Sequence, residues 1–244
     1  MEIKHLLGKV APLSYTLREE ICVDRGHIKK FNTKQEKMQV EDMAALEKLT
    51  EEKIVDELKV RMDQGKSYSF IGDVLLSLNS GDLPKELPKN VCFLPQSKSD
   101  AGCYYNLVCP QLIQIHNKYI SKSRSENAPH IFAVADSAYQ DMLHHEETQH
   151  IIMSGESMSG KTTNVRLALQ HLTVLGEGNA QIKERVMKAQ DLVHYLTNAG
   201  TPLNPDSTRC VLQTQVTFTK TGKLSGAIFW PFLLEKSRVS STDT

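Results

Sequence analysis

The octapeptide Gly155-Glu156-Ser157-Met158-Ser159-Gly160-Lys161-Thr162 constrains this chain more than any other stretch, because it fits G-x-x-x-x-G-K-[ST] without a mismatch. That spacing has a physical reason. Successive backbone N–H groups between the two glycines form a concave nest for a phosphate, and the positive end of a following helix adds to it. Gly155 allows a sharp exit from a preceding strand, and Gly160 lets the backbone approach the phosphates closely. The Lys161 ammonium bridges β- and γ-phosphates, and the Thr162 hydroxyl suits Mg²⁺. A chain of this length matches such a pattern by chance about once in a hundred. Here an apolar run, His150 to Met153, reads as a strand before the motif, and Lys161 through Leu172 reads as a helix after it. The pattern therefore predicts a nucleotide-binding fold.

The remaining elements are read from periodicity. Residues 1–39 are mixed in sign, weakly periodic and end in a polar run, which predicts a loosely ordered lead-in. Thr50 is placed to cap a helix with Ile54, Val55, Leu58 and Met62 on one face, closed by Gly65. Tyr68 to Leu78 reads as one strand. Prolines 84, 88, 95 and 110 make residues 80–110 a long loop, functional or inserted. Gln111 to Ser121 reads as a short helix, and Pro129 opens another that ends at His144-His145. Those adjacent histidines point about 100° apart with no third ligand at i+4, so a helix terminus is a better reading than a metal site. Ala180 to Tyr195 continues helical. Val211 to Thr219 and Leu224 to Trp230 alternate as two strands joined across Thr221-Gly222.

Composition narrows the function classes. Lys plus Arg and Asp plus Glu are 29 each, so no general basic field exists for a nucleic-acid partner. No run of eighteen apolar residues predicts a membrane span. The first residues carry charges within every apolar stretch and do not read as a secretory signal. Five cysteines with no C-x-x-C spacing read as reduced thiols in a cytoplasmic setting.

Beyond the octapeptide, the chain carries APHIFAVADSAY (Ala128 to Tyr139) upstream and FLLEKSRV (Phe232 to Val239) downstream. Together with GESMSGKTTN, in this order and spacing, these segments closely resemble the myosin motor head over roughly residues 40–240. LALQHLTVLG (Leu167 to Gly176) resembles class III myosins. The resemblance implies an α/β fold, a P-loop NTPase sheet with flanking helices, forming the N-terminal part of a motor domain over 40–244. It also implies ATP and Mg²⁺ as ligands and actin filaments as partner of the intact motor, at the cytoskeleton. The family's switch I, N-x-N-S-S-R-F-G-K, is matched by residues 204–212. By resemblance Lys161, Ser207 and Arg209 are the catalytic set, and Thr162 and Thr208 serve the metal. Gly155 through Thr162, Asn204 and, on the adenine side, Asn79 hold the nucleotide. Arg209 is implied to pair with a switch II glutamate.

Departures from the pattern carry their own expectations. Met158-Ser159 replaces a small Gly-Ala pair, which predicts strain at a positive φ. In switch I, Pro205 and Asp206 replace family residues, and Cys210-Val211-Leu212 replaces Phe-Gly-Lys. On the adenine side Asn79-Ser80 replaces Asn-Pro, and Tyr104 or Tyr105 could stand in for the displaced tyrosine. In the resembled family switch II lies beyond Thr244. The expectation is an Arg209 without its glutamate and an open switch I. The isolated chain would then bind nucleotide weakly, hydrolyse it near background and ignore actin. Two other readings compete: a degenerate, non-hydrolysing interaction module, and a small-molecule kinase. The kinase leaves PHIFAVAD and LLEKSRV unexplained.

Overall fold

The computed structural model describes residues 42–46, 49–79, 110–202, 204 and 206–240. The chain divides into two units, Met1–Gln39 and Val40–Thr244, and every described residue belongs to the second. Residues 1–39, Tyr104, Tyr105 and all of the expected 80–110 loop except Pro110 lie outside the described residues, and Pro110 begins a helix rather than ending a loop. A 3-10 turn, Met43–Ala45, leads to helix α1, Glu51–Asp63. Strands β1 (Tyr68–Ile71) and β2 (Val74–Ser77) follow, then α2 (Pro110–Tyr119), α3 (Ile131–His145), α4 (Lys161–Leu175) and α5 (Ala180–Thr197). Two short strands, β3 (Asn198–Ala199) and β4 (Ser207–Thr208), precede the hairpin β5 (Val211–Phe218) and β6 (Leu224–Phe232), and α6 (Lys236–Ser240) comes last. The described strands pair as three antiparallel couples, β1–β2, β3–β4 and β5–β6.

Several sequence expectations are corrected. Tyr68 to Leu78 is a hairpin rather than one strand, because Gly72 adopts φ +55 and the chain reverses between Ile71 and Val74. His150 to Met153 takes no strand partner among the described residues, and Ile152 is 84% exposed there. A strand is defined by its neighbours' hydrogen bonds, which periodicity cannot supply. α1 does close on Gly65, with Lys66 N–H donating to the Arg61 carbonyl at 2.9 Å and Gly65 N–H to that of Met62 at 2.8 Å. The Thr50 hydroxyl makes no cap, however, and the supposed apolar face leaves Val55 and Met62 exposed. Arg61 is the buried residue of α1, its Nη1 donating to Ser69 Oγ at 2.8 Å. A long guanidinium stem can cover apolar surface while its head finds a hydroxyl.

The main core lies between α2, α3, α4 and the β1–β2 hairpin. Phe132, Ala135, Leu167 and Ala168 pack there with Tyr68, Tyr119 and Ile131. Three buried histidines join it. His116 (α2) and His171 (α4) share a hydrogen bond in which one Nδ1–H donates to the other Nδ1 at 2.7 Å. Both rings stack on Phe132, at 4.4 and 4.6 Å. His130 caps α3, its Nδ1 accepting from Phe132 N–H at 3.1 Å. Burial holds His116 down at about 4, His130 at about 3 and His171 at about 3, with neighbouring imidazoles adding to the last two.

A second cluster joins Leu169 of α4, Val186 of α5 and Leu224 of β6, which docks the hairpin against the helices. Gly176 ends α4 there because nothing larger fits: a Cβ would come within 2.9 Å of both Leu224 and Phe218. The Gly176 carbonyl accepts from Leu224 N–H at 2.7 Å. Arg166 and Asp191 form a two-armed ion pair between α4 and α5, one arm at 3.2 Å.

Candidate functional site

The loop 155–160 delivers the chain into α4 with Gly160 as its N-cap at φ +86. Gly155 sits at φ +151, and a Cβ on it would fall 2.7 Å from Ser159 Oγ. The cradle thus has no room for a side chain at its first position. Met158 adopts φ +65, so the strain expected from the loss of a glycine is present. Its carbonyl is held by Asn79 Nδ2, which donates at 2.5 Å. Left-handed Met costs about 1–2 kcal/mol, and glycine's added chain entropy returns part of any relief. Met158→Gly should therefore raise stability by up to about 1 kcal/mol, read as an increase in the urea midpoint at unchanged slope.

Lys161 bends back over its own loop, its Nζ donating to the carbonyls of Gly155 at 2.7 Å and Glu156 at 2.6 Å. These acceptors are neutral, so a phosphate would meet no carboxylate competing for the ammonium. Glu156 and Ser157 form the exposed tip of the loop, with Ser159 N–H donating to the Glu156 carbonyl at 3.2 Å. The Ser159 hydroxyl is buried and makes no hydrogen bond among the described residues.

The first turn of α4 is anchored by a residue that the motif does not name. Asn164 is buried; its Nδ2 donates to Ser77 Oγ at 3.1 Å and to the Gly160 carbonyl at 3.0 Å. Its Oδ1 accepts from the Tyr68 hydroxyl at 2.9 Å. The β1–β2 hairpin therefore holds the phosphate loop from behind. Asparagine is a mediocre helix former, and its presence one turn into α4 was the available signal.

From the other side comes β4. Thr208 Oγ1 stands 3.3 Å from Thr162 Oγ1, across 46 residues of sequence. Ser207 is buried and pairs in register with Ala199, as Thr208 does with Asn198. Asn204 is engaged within its own turn: its N–H donates to the Thr201 carbonyl at 3.1 Å and its Oδ1 accepts from Asp206 N–H at 3.1 Å. No described hydrogen bond links it to the phosphate loop. That Thr208–Thr162 contact brings the segment 204–212 beside the first turn of α4.

Arg209 is not left without an acidic neighbour. Its Nη1 lies 3.9 Å from Glu235 Oε2, and Glu235 N–H donates to the Arg209 carbonyl at 2.9 Å. After β6 the chain turns at Leu233, φ +54, and returns Glu235 beneath switch I. Arg238 Nε shares the same carboxylate oxygen at 3.0 Å. Glu235 is the acid beside Arg209 among the described residues, a contact that the reversal of direction after β6 creates.

The glycine-rich loop 155–160 is thus backed by the β1–β2 hairpin, and Thr162 at the start of α4 is faced by Thr208 of β4. Residues 104–243, more than half of the chain, match the family described as myosin head (motor domain). The chain belongs to the myosin head family. It is 52% identical to the Drosophila melanogaster protein "Neither inactivation nor afterpotential protein C" over 224 residues, 92% of this chain and 13% of that protein. Human myosin-IIIa is 35% identical over 202 residues, 82% of this chain and 11% of the relative. Mouse myosin-IIIb is also 35% identical over 202 residues, covering 14% of that protein. The chain thus spans less than a sixth of these relatives' length, and its similarity runs to class III myosins. Among the described residues no helix is long and apolar enough to cross a membrane.

Proposed function

We propose that this chain is the nucleotide-binding part of an actin-based motor, built on a P-loop NTPase sheet with flanking helices, that binds Mg·ATP at residues 155–162. In the whole motor, hydrolysis would be coupled to movement on actin filaments at the cytoskeleton. The observation that carries this reading is the meeting of the Thr162 and Thr208 hydroxyls at 3.3 Å. Two hydroxyl oxygens from distant segments, beside a loop whose first position has no room for a side chain, fit a hard cation held against a phosphate. Thr162 and Thr208 would hold Mg²⁺, which neutralises charge on the transferring phosphoryl group when bound. Backbone N–H groups of residues 155–160 and the Lys161 ammonium would hold the phosphates. Ser207 lies beside Thr208 on β4, where its hydroxyl would serve the γ-phosphate side. Arg209, paired with Glu235, would keep switch I against that side, and Asn204 would shape the loop before it.

The test is titration of a fluorescent ATP analogue, with Mg²⁺, against the full chain and Lys161→Ala. Removing the ammonium should weaken binding roughly a hundredfold, about 2.7 kcal/mol. Equal affinities would overturn the assignment. Base discrimination should be poor, because the Asn79 amide is occupied by the Met158 carbonyl at 2.5 Å. ATP and GTP affinities are expected within about tenfold, about 1.4 kcal/mol, by competition against the same probe. A strong preference for ATP would show that another group reads the base.

A further inference from the structure

Asp206 stands where the resembled switch I carries an asparagine, and the surrounding residues are arranged for a carboxylate. His194, in the last turn of α5, places Nε2 at 2.9 Å from Asp206 Oδ2. Asn198, one helical turn further, donates from Nδ2 to Asp206 Oδ1 at 2.6 Å. Each oxygen of the carboxylate thus faces a separate nitrogen, and those nitrogens, His194 Nε2 and Asn198 Nδ2, stand 2.7 Å apart. The His194 side chain is 11% exposed and that of Asp206 40%, so the imidazole is withdrawn from water while the carboxylate keeps part of its solvent contact. An alanine at 206 would remove both bonds.

The arrangement bears directly on the hydroxyl site. Ser207 and Thr208 are held on the backbone by a two-residue ladder to Asn198 and Ala199. So short a pairing has little stiffness of its own. Asp206 immediately precedes it, and Arg209 N–H, immediately after, donates to the Thr197 carbonyl at 2.8 Å. Three consecutive points therefore tie residues 206–209 to the end of α5: the carboxylate, the ladder and the Arg209 amide. Of these, only the first depends on side chains. We propose that His194 and Asn198, acting through Asp206, are positioning residues that set the Thr208 hydroxyl opposite Thr162, and so decide how much Mg²⁺ adds to nucleotide affinity. This rests on the nucleotide reading above. The clamp makes the switch segment a rigid extension of α5, so motion of that helix end and motion of the Thr208 hydroxyl are one event.

The experiment uses the full chain and the variants His194→Ala, His194→Gln and Asp206→Ala, with two readouts. The first needs no ligand: amide hydrogen exchange across 206–209. His194→Ala and Asp206→Ala should speed it about tenfold or more, while the interior of α5 keeps its protection. His194→Gln should restore slow exchange, because a glutamine amide can replace the Nε2 donor. The second compares affinity for the fluorescent ATP analogue in Mg²⁺ and in EDTA. The two clamp-breaking variants should lose about tenfold of the Mg²⁺-dependent gain, about 1.4 kcal/mol, with the EDTA affinity unchanged. Lys161→Ala should lower both affinities. Unchanged exchange at 206–209 in both clamp-breaking variants overturns the clamp. Faster exchange with an undiminished Mg²⁺ gain overturns its role at the metal. A wild-type chain that binds no nucleotide overturns the nucleotide reading and the metal role together, while the exchange result alone still decides whether the clamp exists.

Discussion

Acidification should unfold this protein well above the pH at which carboxylates alone would do so. His116, His130 and His171 are buried and neutral, with proton affinities held down at about 4, about 3 and about 3. In the unfolded chain each titrates near 6.5. Between those values the unfolded state binds more protons, so stability rises with pH across that window and falls as pH drops below 6.5. Above 6.5 the full benefit of neutral burial is present; below the folded values no more is lost. Each histidine costs about 1.4 kcal/mol per pH unit inside the window, and three together about 4. A domain of about 5 kcal/mol is used up at about pH 5, and one of about 10 kcal/mol at about pH 4. Two local structures fail together on protonation. The His130 Nδ1 that accepts from Phe132 N–H becomes a donor, and the shared Nδ1 contact of His116 and His171 becomes a repulsion. Asp136, pushed up by burial, works in the opposite direction and blunts the slope. The check is a pH titration by circular dichroism on wild type and on His116→Leu/His171→Leu. That double variant removes both partners of the buried bond, so no orphaned donor remains. Its acid midpoint should move lower, and a midpoint that stays put would show that other groups govern acid unfolding.

Phe132→Ala should be the most damaging single truncation, at about 3–5 kcal/mol. Phe132 is fully buried, and its ring is enclosed by His116, His171, His130 and Tyr119, with centroids 4.3 to 5.9 Å away. Stacked rings cannot collapse into the space without losing their mutual geometry, so the cavity persists. The thermal midpoint should fall by roughly 10 °C or more, and Phe132→Leu should fall by less. The loss is of the whole fold rather than of the site. Phe132 belongs to α3, against which α4 and hence the phosphate loop are packed. In the cold, where the variant remains folded, nucleotide affinity should match wild type. A variant as stable as wild type would mean that the three imidazoles repack into the gap.

Local sequence was sufficient wherever backbone chemistry decides. The phosphate loop, its positive-φ strain at Met158, the C-terminal cap at Gly65 and the spans of α3, α4, α5 and the β5–β6 hairpin all follow from residue types at short spacing. Hydrogen bonds there close within a few residues, so glycines, caps and periodicity carry the information. Strand pairing could not be read in the same way: Tyr68 to Leu78 folds back as a hairpin and His150 to Met153 pairs with no described strand, because a strand needs a neighbour that sequence distance does not name. Side-chain meetings across the fold were equally out of reach. Asn164 with Tyr68, Thr162 with Thr208, Arg209 with Glu235 and the imidazole cluster bring together groups from separate elements. Their residue types are ordinary, and only packing sets whether each polar group finds a partner or is buried without one. The loop 155–160 was legible in one octapeptide; which groups stand around it was decided by how the helices and hairpins pack.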